Sequence, residues 1–126
     1  MWSAPPTDFD LVTDVRPRHV AARVRVVSIT PEIAESFLRE IRLTVVGKRF
    51  ANVLVELELA HALSDNDAFE VMQTFSKVMP GLKVAIVNRD PRHHPSLLLG
   101  ARMSQEAGCD HRYFTDLHAA ETWLTG

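Results

Sequence analysis

The chain has 126 residues, 46% of them hydrophobic and 24% charged, the makeup of one ordinary globular domain that buries about two thirds of its unfolded surface without staples. Fourteen Lys and Arg against sixteen Asp and Glu leave a formal net charge of -2, which removes the electrostatic case for nucleic acid, whose binders carry a marked basic excess. The single cysteine, Cys109, excludes an intramolecular disulfide, and no apolar run approaches the roughly 18 residues of a membrane helix, so no membrane span is expected.

Residues 1–7, with Pro5 and Pro6 adjacent, read as a disordered lead-in, and residues 8–126 as a single domain. The start of the chain lacks a basic region followed by an apolar core, which makes the cytoplasm the expected location. Phe9, Leu11, Thr13 and Val15 then alternate with Asp8, Asp10, Val12 and Asp14, the periodicity of a strand with one wet face. Arg16-Pro17-Arg18-His19 supplies a turn. Val20, Ala22, Val24 and Val26, alternating with Ala21, Arg23 and Arg25, form a second strand that so short a connection pairs antiparallel with the first. With the polar faces aligned, Asp10 and Asp14 are expected beside Arg23 and Arg25.

Thr30-Pro31-Glu32 opens a helix: an N-cap hydroxyl, a proline at the first helical position and a carboxylate in the first turn. Ile33, Phe37, Leu38, Ile41 and Val45 form its apolar stripe, and Gly47 is its predicted stop. Val53 to Leu59 is an apolar run expected to be a central strand covered on both faces. Ser64-Asp65-Asn66-Asp67 caps a helix running from Asp65 to about Met79, with Phe69, Met72, Phe75 and Met79 inward and Pro80-Gly81 at its end. Leu82 to Val87, following a helix, implies a parallel crossover. A polar loop from Asn88 to Pro95, a helix from Ser96 to Gly108, a strand from about His111 to Phe114 and a last helix to near Thr125 complete the chain. The architecture is α/β: a mixed sheet of about five strands with an N-terminal antiparallel hairpin, then alternating helices and parallel strands, with four helices.

No nucleophile, base and oxyanion donor recur in a catalytic pattern, so no enzyme is expected. His93 and His94 are adjacent and diverge in an extended chain, and Cys109, His111 and His118 lack a zinc spacing. Cys109 follows a helix-stopping glycine and has no activating helix N-terminus. Neither metal nor cofactor is expected. The loop holding Asn88, Arg89, Arg92 and His93 is the compact basic cluster of the second half. In a parallel sheet it leaves the same strand ends as Ser64, where open α/β sheets bind ligands. Arg89 and Arg92 are then placed to face an anion. Asp65, Asn66 and Asp67 oppose one by filling the helix start with their own acceptors, which shifts the expectation towards a protein contact. The candidate binding residues are therefore Ser64, Asp65, Asn66, Asn88, Arg89, Arg92 and His93.

Three stretches carry a family resemblance: Val53-Leu54-Val55-Glu56-Leu57, the Pro-Gly before Leu82-Lys83-Val84-Ala85-Ile86-Val87, and Arg112-Tyr113-Phe114-Thr115-Asp116 followed by Ala119, Ala120, Trp123 and Leu124. On these the chain resembles a STAS domain, the sulfate-transporter and anti-sigma-factor-antagonist fold, in its single-domain SpoIIAA-like branch. The resemblance implies a bacterial, non-enzymatic regulatory module that binds a protein partner, with nucleotide or lipid binding as the alternative; separately, the edge strand of the N-terminal hairpin leaves a homodimer as an option. The antagonists carry an Asp-Ser-Ser/Thr-Gly motif whose hydroxyl is phosphorylated. Here the matching stretch is Leu63-Ser64-Asp65-Asn66-Asp67, which leaves Ser64 as the candidate phosphosite without the intact motif.

Overall fold

The computed structural model describes residues 9–61, 63–90, 98, 102 and 110–126. Five strands form one sheet: β1 (Phe9–Val15), β2 (Val20–Val26), β3 (Asn52–Leu59), β4 (Lys83–Val87) and β5 (His111–Phe114). They lie in the spatial order β1-β2-β3-β4-β5, with β1 antiparallel to β2 and every later pair parallel. The helices are α1 (Pro31–Gly47), α2 (Asp65–Val78) and α3 (Leu117–Thr125).

Three helices are thus described where the sequence predicts four. The predicted helix from Ser96 to Gly108 falls almost wholly outside the described residues; Leu98 and Arg102, the two described there, are helical. The predicted lead-in over residues 1–7 also lies outside them.

The hydrophobic pattern explains the layers. Val53, Val55, Leu57 and Leu59 alternate along β3 and face the same way as Val20, Val24 and Val26 on β2. Against this face α1 lays Phe37, Leu38, Ile41 and Val45, and α2 lays Ala68, Val71, Met72 and Phe75, in one continuous core. Each large aliphatic or aromatic side chain removed from water there contributes about 1.5–3 kcal/mol. Phe9 of β1 meets Phe37 edge-on at 5.7 Å between ring centres. Of the residues expected inward on α2 and at its end, Met72, Phe75 and Met79 are buried, whereas Phe69 is only half-buried and Ala68 and Val71 take the buried positions beside it.

The helix ends follow the capping chemistry with one change. Thr30 accepts from the Ile33 amide at 3.2 Å, Ser64 from the Asp67 amide at 3.1 Å, and Asp116 from the Ala119 amide at 3.0 Å. At the close of α1, Gly47 is the last helical residue, and the left-handed conformation falls on Arg49 (φ 61°) two positions later. Gly81, after α2, has φ 79° and occupies the backbone region that glycine favours. The Arg42 guanidinium reaches across from α1 to donate to the Val78 carbonyl at 2.9 Å, satisfying an orphan acceptor at the end of α2.

Among the described residues, the opposite face of the sheet is covered only in part. α3 packs Ala120 and Leu124 onto Leu54, Ala85 and Val87, with Phe114, Leu117 and Trp123 around them. Asn52 and Lys83 donate to the carbonyls of Leu124 (3.1 Å) and Trp123 (2.9 Å), which fastens the end of α3 to the sheet. Over β1, β2 and the second half of β3 the same face carries Asp10, Arg23, Arg25, Glu56 and Glu58. β1 is an edge strand, with Val12 66% and Val15 47% exposed.

Candidate functional site

The charged part of this second face arises from register. β2 and β3 are parallel, with Arg23 beside Glu56 and Arg25 beside Glu58, so two arginines spaced by two meet two glutamates spaced by two on one side of the pleat. Arg25 pairs with Glu58 at 3.0 Å, and Arg23 bridges Glu56 at 3.5 Å and Glu58 at 3.7 Å. Glu56 is the pivot: its side chain is 9% exposed, and its second oxygen receives Arg89 at 3.2 Å. The arginines were expected beside the aspartates of β1. Asp10 does stand opposite Arg25 in the ladder, but Asp14 lies opposite Ala21 and pairs with Arg16 at 2.8 Å.

Where β2, β3 and β4 end, their carboxyl termini and following loops enclose an open depression of about 580 Å³. Its walls include Arg25, Glu58, Glu56, Asn88, Arg89 and Asp90, with Asp10 from the edge strand. Asn88 is fully buried and organises the rim: its side-chain oxygen accepts from the Asp90 amide at 2.8 Å, and its carbonyl accepts from the Tyr113 hydroxyl at 3.1 Å. Burial pushes the Tyr113 phenol up to about 12, with the nearby charge of Asp90 acting in the same direction.

The predicted site residues divide accordingly. Asn88 and Arg89 line the depression. Ser64, Asp65 and Asn66 begin α2, on the layer that covers the other face, and do not line it. Ser64 is exposed and its hydroxyl is the α2 N-cap. Arg92 and His93 lie outside the described residues, as does Cys109. The anion role expected for Arg89 meets a competing carboxylate, since Glu56 already holds its guanidinium. Glu56, Glu58, Arg23 and Arg25 were not among the predicted site residues, although their matched period-two spacing is visible in the chain.

Among the described residues two histidines are buried. His111 has its Nε2 3.4 Å from the Met79 carbonyl, and burial lowers its pKa against the opposing influence of that carbonyl and of Asp110. His19, in the turn before β2, is 6% exposed; burial is the main cause of its lowered pKa. Among the described residues no group of three or more His, Cys, Asp or Glu is placed to hold a metal ion, and no helix is long and apolar enough to cross a membrane.

Among solved structures, the chain is similar to an uncharacterised protein of the DUF3478 family from Shewanella loihica PV-4, whose crystal structure is described as having a SpoIIAA-like fold. The sequences are 18% identical, and the match covers 98% of this chain and 99% of that one with a TM-score of 0.57. The chain therefore has a SpoIIAA-like fold, with the antiparallel β1-β2 pair followed by parallel strands. No protein-family model and no curated protein sequence matches it.

Proposed function

We propose that this SpoIIAA-like fold serves as a non-enzymatic regulatory module of the cytoplasm that recognises a protein partner at the carboxyl ends of β2, β3 and β4. The observation that carries this reading is the charge balance of the depression there. Its walls hold four carboxylates, Asp10, Glu56, Glu58 and Asp90, against two guanidiniums, Arg25 and Arg89. Both guanidiniums are already in ion pairs, with Glu58 and Glu56. A nucleotide phosphate would meet net negative charge, and an acyl chain would meet charged walls. An open, mixed-charge surface suits the polar rim and central contacts of a protein interface, where charges set register and partner choice. Ser64 stands at the same end of the sheet on the neighbouring layer, so a phosphate added there would change the charge at the border of that contact.

The test combines capture and native mass spectrometry. Wild-type protein incubated with lysate of its source is expected to retain a discrete protein, and Glu58→Arg, which reverses a charge on the depression wall, is expected to lose it. Retention of a nucleotide or lipid in place of a protein would overturn the proposal in favour of a small-molecule carrier. A dimer through the open β1 edge is compatible with this surface, and light scattering measures it.

A further inference from the structure

Among the described strands, β1 and β5 are the edges of the sheet. Natural edges are blunted by shortness, bulges, proline or lysine. β5 has only four residues. β1 runs for seven beside β2, residue for residue and without a bulge, and contains neither lysine nor proline. Val12 and Asp14 on one of its faces, and Thr13 and Val15 on the other, are exposed. The hydrogen-bond phase fixes which backbone groups point outward. The Arg16 amide donates to the His19 carbonyl at 2.8 Å, while the Val26 carbonyl, opposite Phe9, turns to β3's end and accepts from the Ala60 amide at 3.1 Å. The even-numbered residues of β1 therefore bond to β2, and Phe9, Leu11, Thr13 and Val15 direct their N–H and C=O groups to the free edge.

We infer that β1 pairs antiparallel with β1 of a second copy of the chain, with Thr13 on the two-fold axis, so that Arg16 of each copy stands beside Asp10 of the other. The occupant is a second copy because the edge is complementary to itself, as an isologous interface requires. Asp10 and Arg16 lie equally far from Thr13 on one face, and Leu11 and Val15 equally far on the other. Pairing about Thr13 sets each carboxylate opposite a guanidinium and each leucine opposite a valine. The two Asp14 meet only diagonally, and each keeps its own Arg16 at 2.8 Å. Moving the axis to Val12 would set Asp10 against Asp14 twice, and moving it to Asp14 would oppose that carboxylate to its own copy. Charge thus selects one register. Asp10 is also a wall of the depression at the carboxyl ends of the strands, so each copy lends a cation to the other's acidic surface. The value of that cation for partner recognition rests on the function proposed above, whereas the strand pairing does not.

Sedimentation equilibrium of the purified full chain reads the association with no other protein present, so its outcome is independent of the capture experiment. Pairing of one strand is small beside a standard interface, and a dimer of twice the 14.2 kDa chain mass with a Kd in the micromolar range is expected. Thr13→Pro removes the outward N–H on the axis and leaves the bonds to β2 in place; it should abolish the dimer with the circular dichroism spectrum unchanged. Asp10→Arg and Arg16→Asp should each raise Kd about tenfold, because symmetry repeats the altered pair, and the double exchange Asp10→Arg/Arg16→Asp should restore it. That exchange decides the matter should the proline variant fail to fold. A chain still monomeric at about 1 mM, even one that accepts a strand from a different protein, would overturn the inference. So would a dimer indifferent to Thr13→Pro, or single charge variants whose losses add in the double exchange instead of cancelling.

Discussion

Replacing the two arginines that hold Glu56 should cost more stability than neutralising Glu56 itself, although both changes remove the two ion pairs of Glu56 and the arginine variant loses in addition only the longer, more exposed Arg23–Glu58 contact at 3.7 Å. Arg23 and Arg89 stand 3.5 and 3.2 Å from its two oxygens, and their side chains are 57% and 59% exposed against 9% for the carboxylate. At an effective dielectric of about 20, each contact carries a gross attraction of about 4–5 kcal/mol, set against a desolvation cost of several kcal/mol for the nearly buried carboxylate. In Arg23→Ala/Arg89→Ala the attraction goes and the desolvation cost stays. Screening of the exposed guanidiniums keeps the loss at the lower end for broken buried pairs, about 3 kcal/mol. In Glu56→Gln the amide is cheaper to bury and both guanidiniums extend into water, so the loss should stay near 1 kcal/mol. For a chain of this size the difference of about 2 kcal/mol corresponds to roughly 8 °C in Tm. Urea unfolding with linear extrapolation supplies the free energies, and unchanged m-values show that the unfolded states are comparable. A Glu56→Gln variant as unstable as the double arginine variant would refute the reasoning, because it would place the stabilisation in the ion pairs rather than the penalty in the buried carboxylate.

Four further outcomes follow from the packing and the shifted groups. Ending the chain at Thr122 removes Leu124, which is 1% exposed, together with the carbonyls that accept from Asn52 and Lys83; a loss of about 2–5 kcal/mol is expected by calorimetry, on the scale of emptying a large core position. Ser64→Ala should lower stability by about 1 kcal/mol through the lost bond to the Asp67 amide, while Ser64→Asp, a capping residue, should lose less, as urea melts will measure. Tyr113 is the single tyrosine, so ultraviolet titration reads it alone. Its phenol should ionise near 12 in the folded chain, and the stability it contributes, complete below about 10, should be lost as pH rises through that interval. For His111 the sign is reversed: its folded pKa is depressed, so stability is complete above about 6.5 and declines as pH falls below it, and His111→Gln should flatten that decline in melts taken from pH 7 to 5.

The order of elements was legible because each change of period came with its own punctuation. Alternation in Phe9–Val15 and Val20–Val26, the Thr30-Pro31 and Ser64 caps, and Gly81 after Pro80 are local signals, and the structure uses them at those positions. The exact face of α2 was less legible, since Phe69 and Ala68 sit one position apart and only packing against the sheet decides between them. For the site, Asn88 and Arg89 were accessible from a general rule about strand ends. Glu56 and Glu58 were hidden in a run that reads as apolar on both faces. Their meaning depends on β2 lying parallel to β3 in a register that sets Arg23 beside Glu56, a long-range fact that a hairpin-based expectation assigned to the aspartates of β1 instead. His19 gave no local signal, because a histidine after Arg-Pro-Arg has the look of an exposed turn until α3 packs across the sheet.

In-cell photo-cross-linking from two exposed positions locates the partner surface. Val27, 65% exposed, lines the depression at the carboxyl ends of the strands, whereas Leu43, 74% exposed, lies on the outer side of α1. With a photoreactive phenylalanine analogue at each position in turn, the proposed function predicts a discrete protein adduct from position 27 and none from position 43. An adduct confined to position 43 would contradict it.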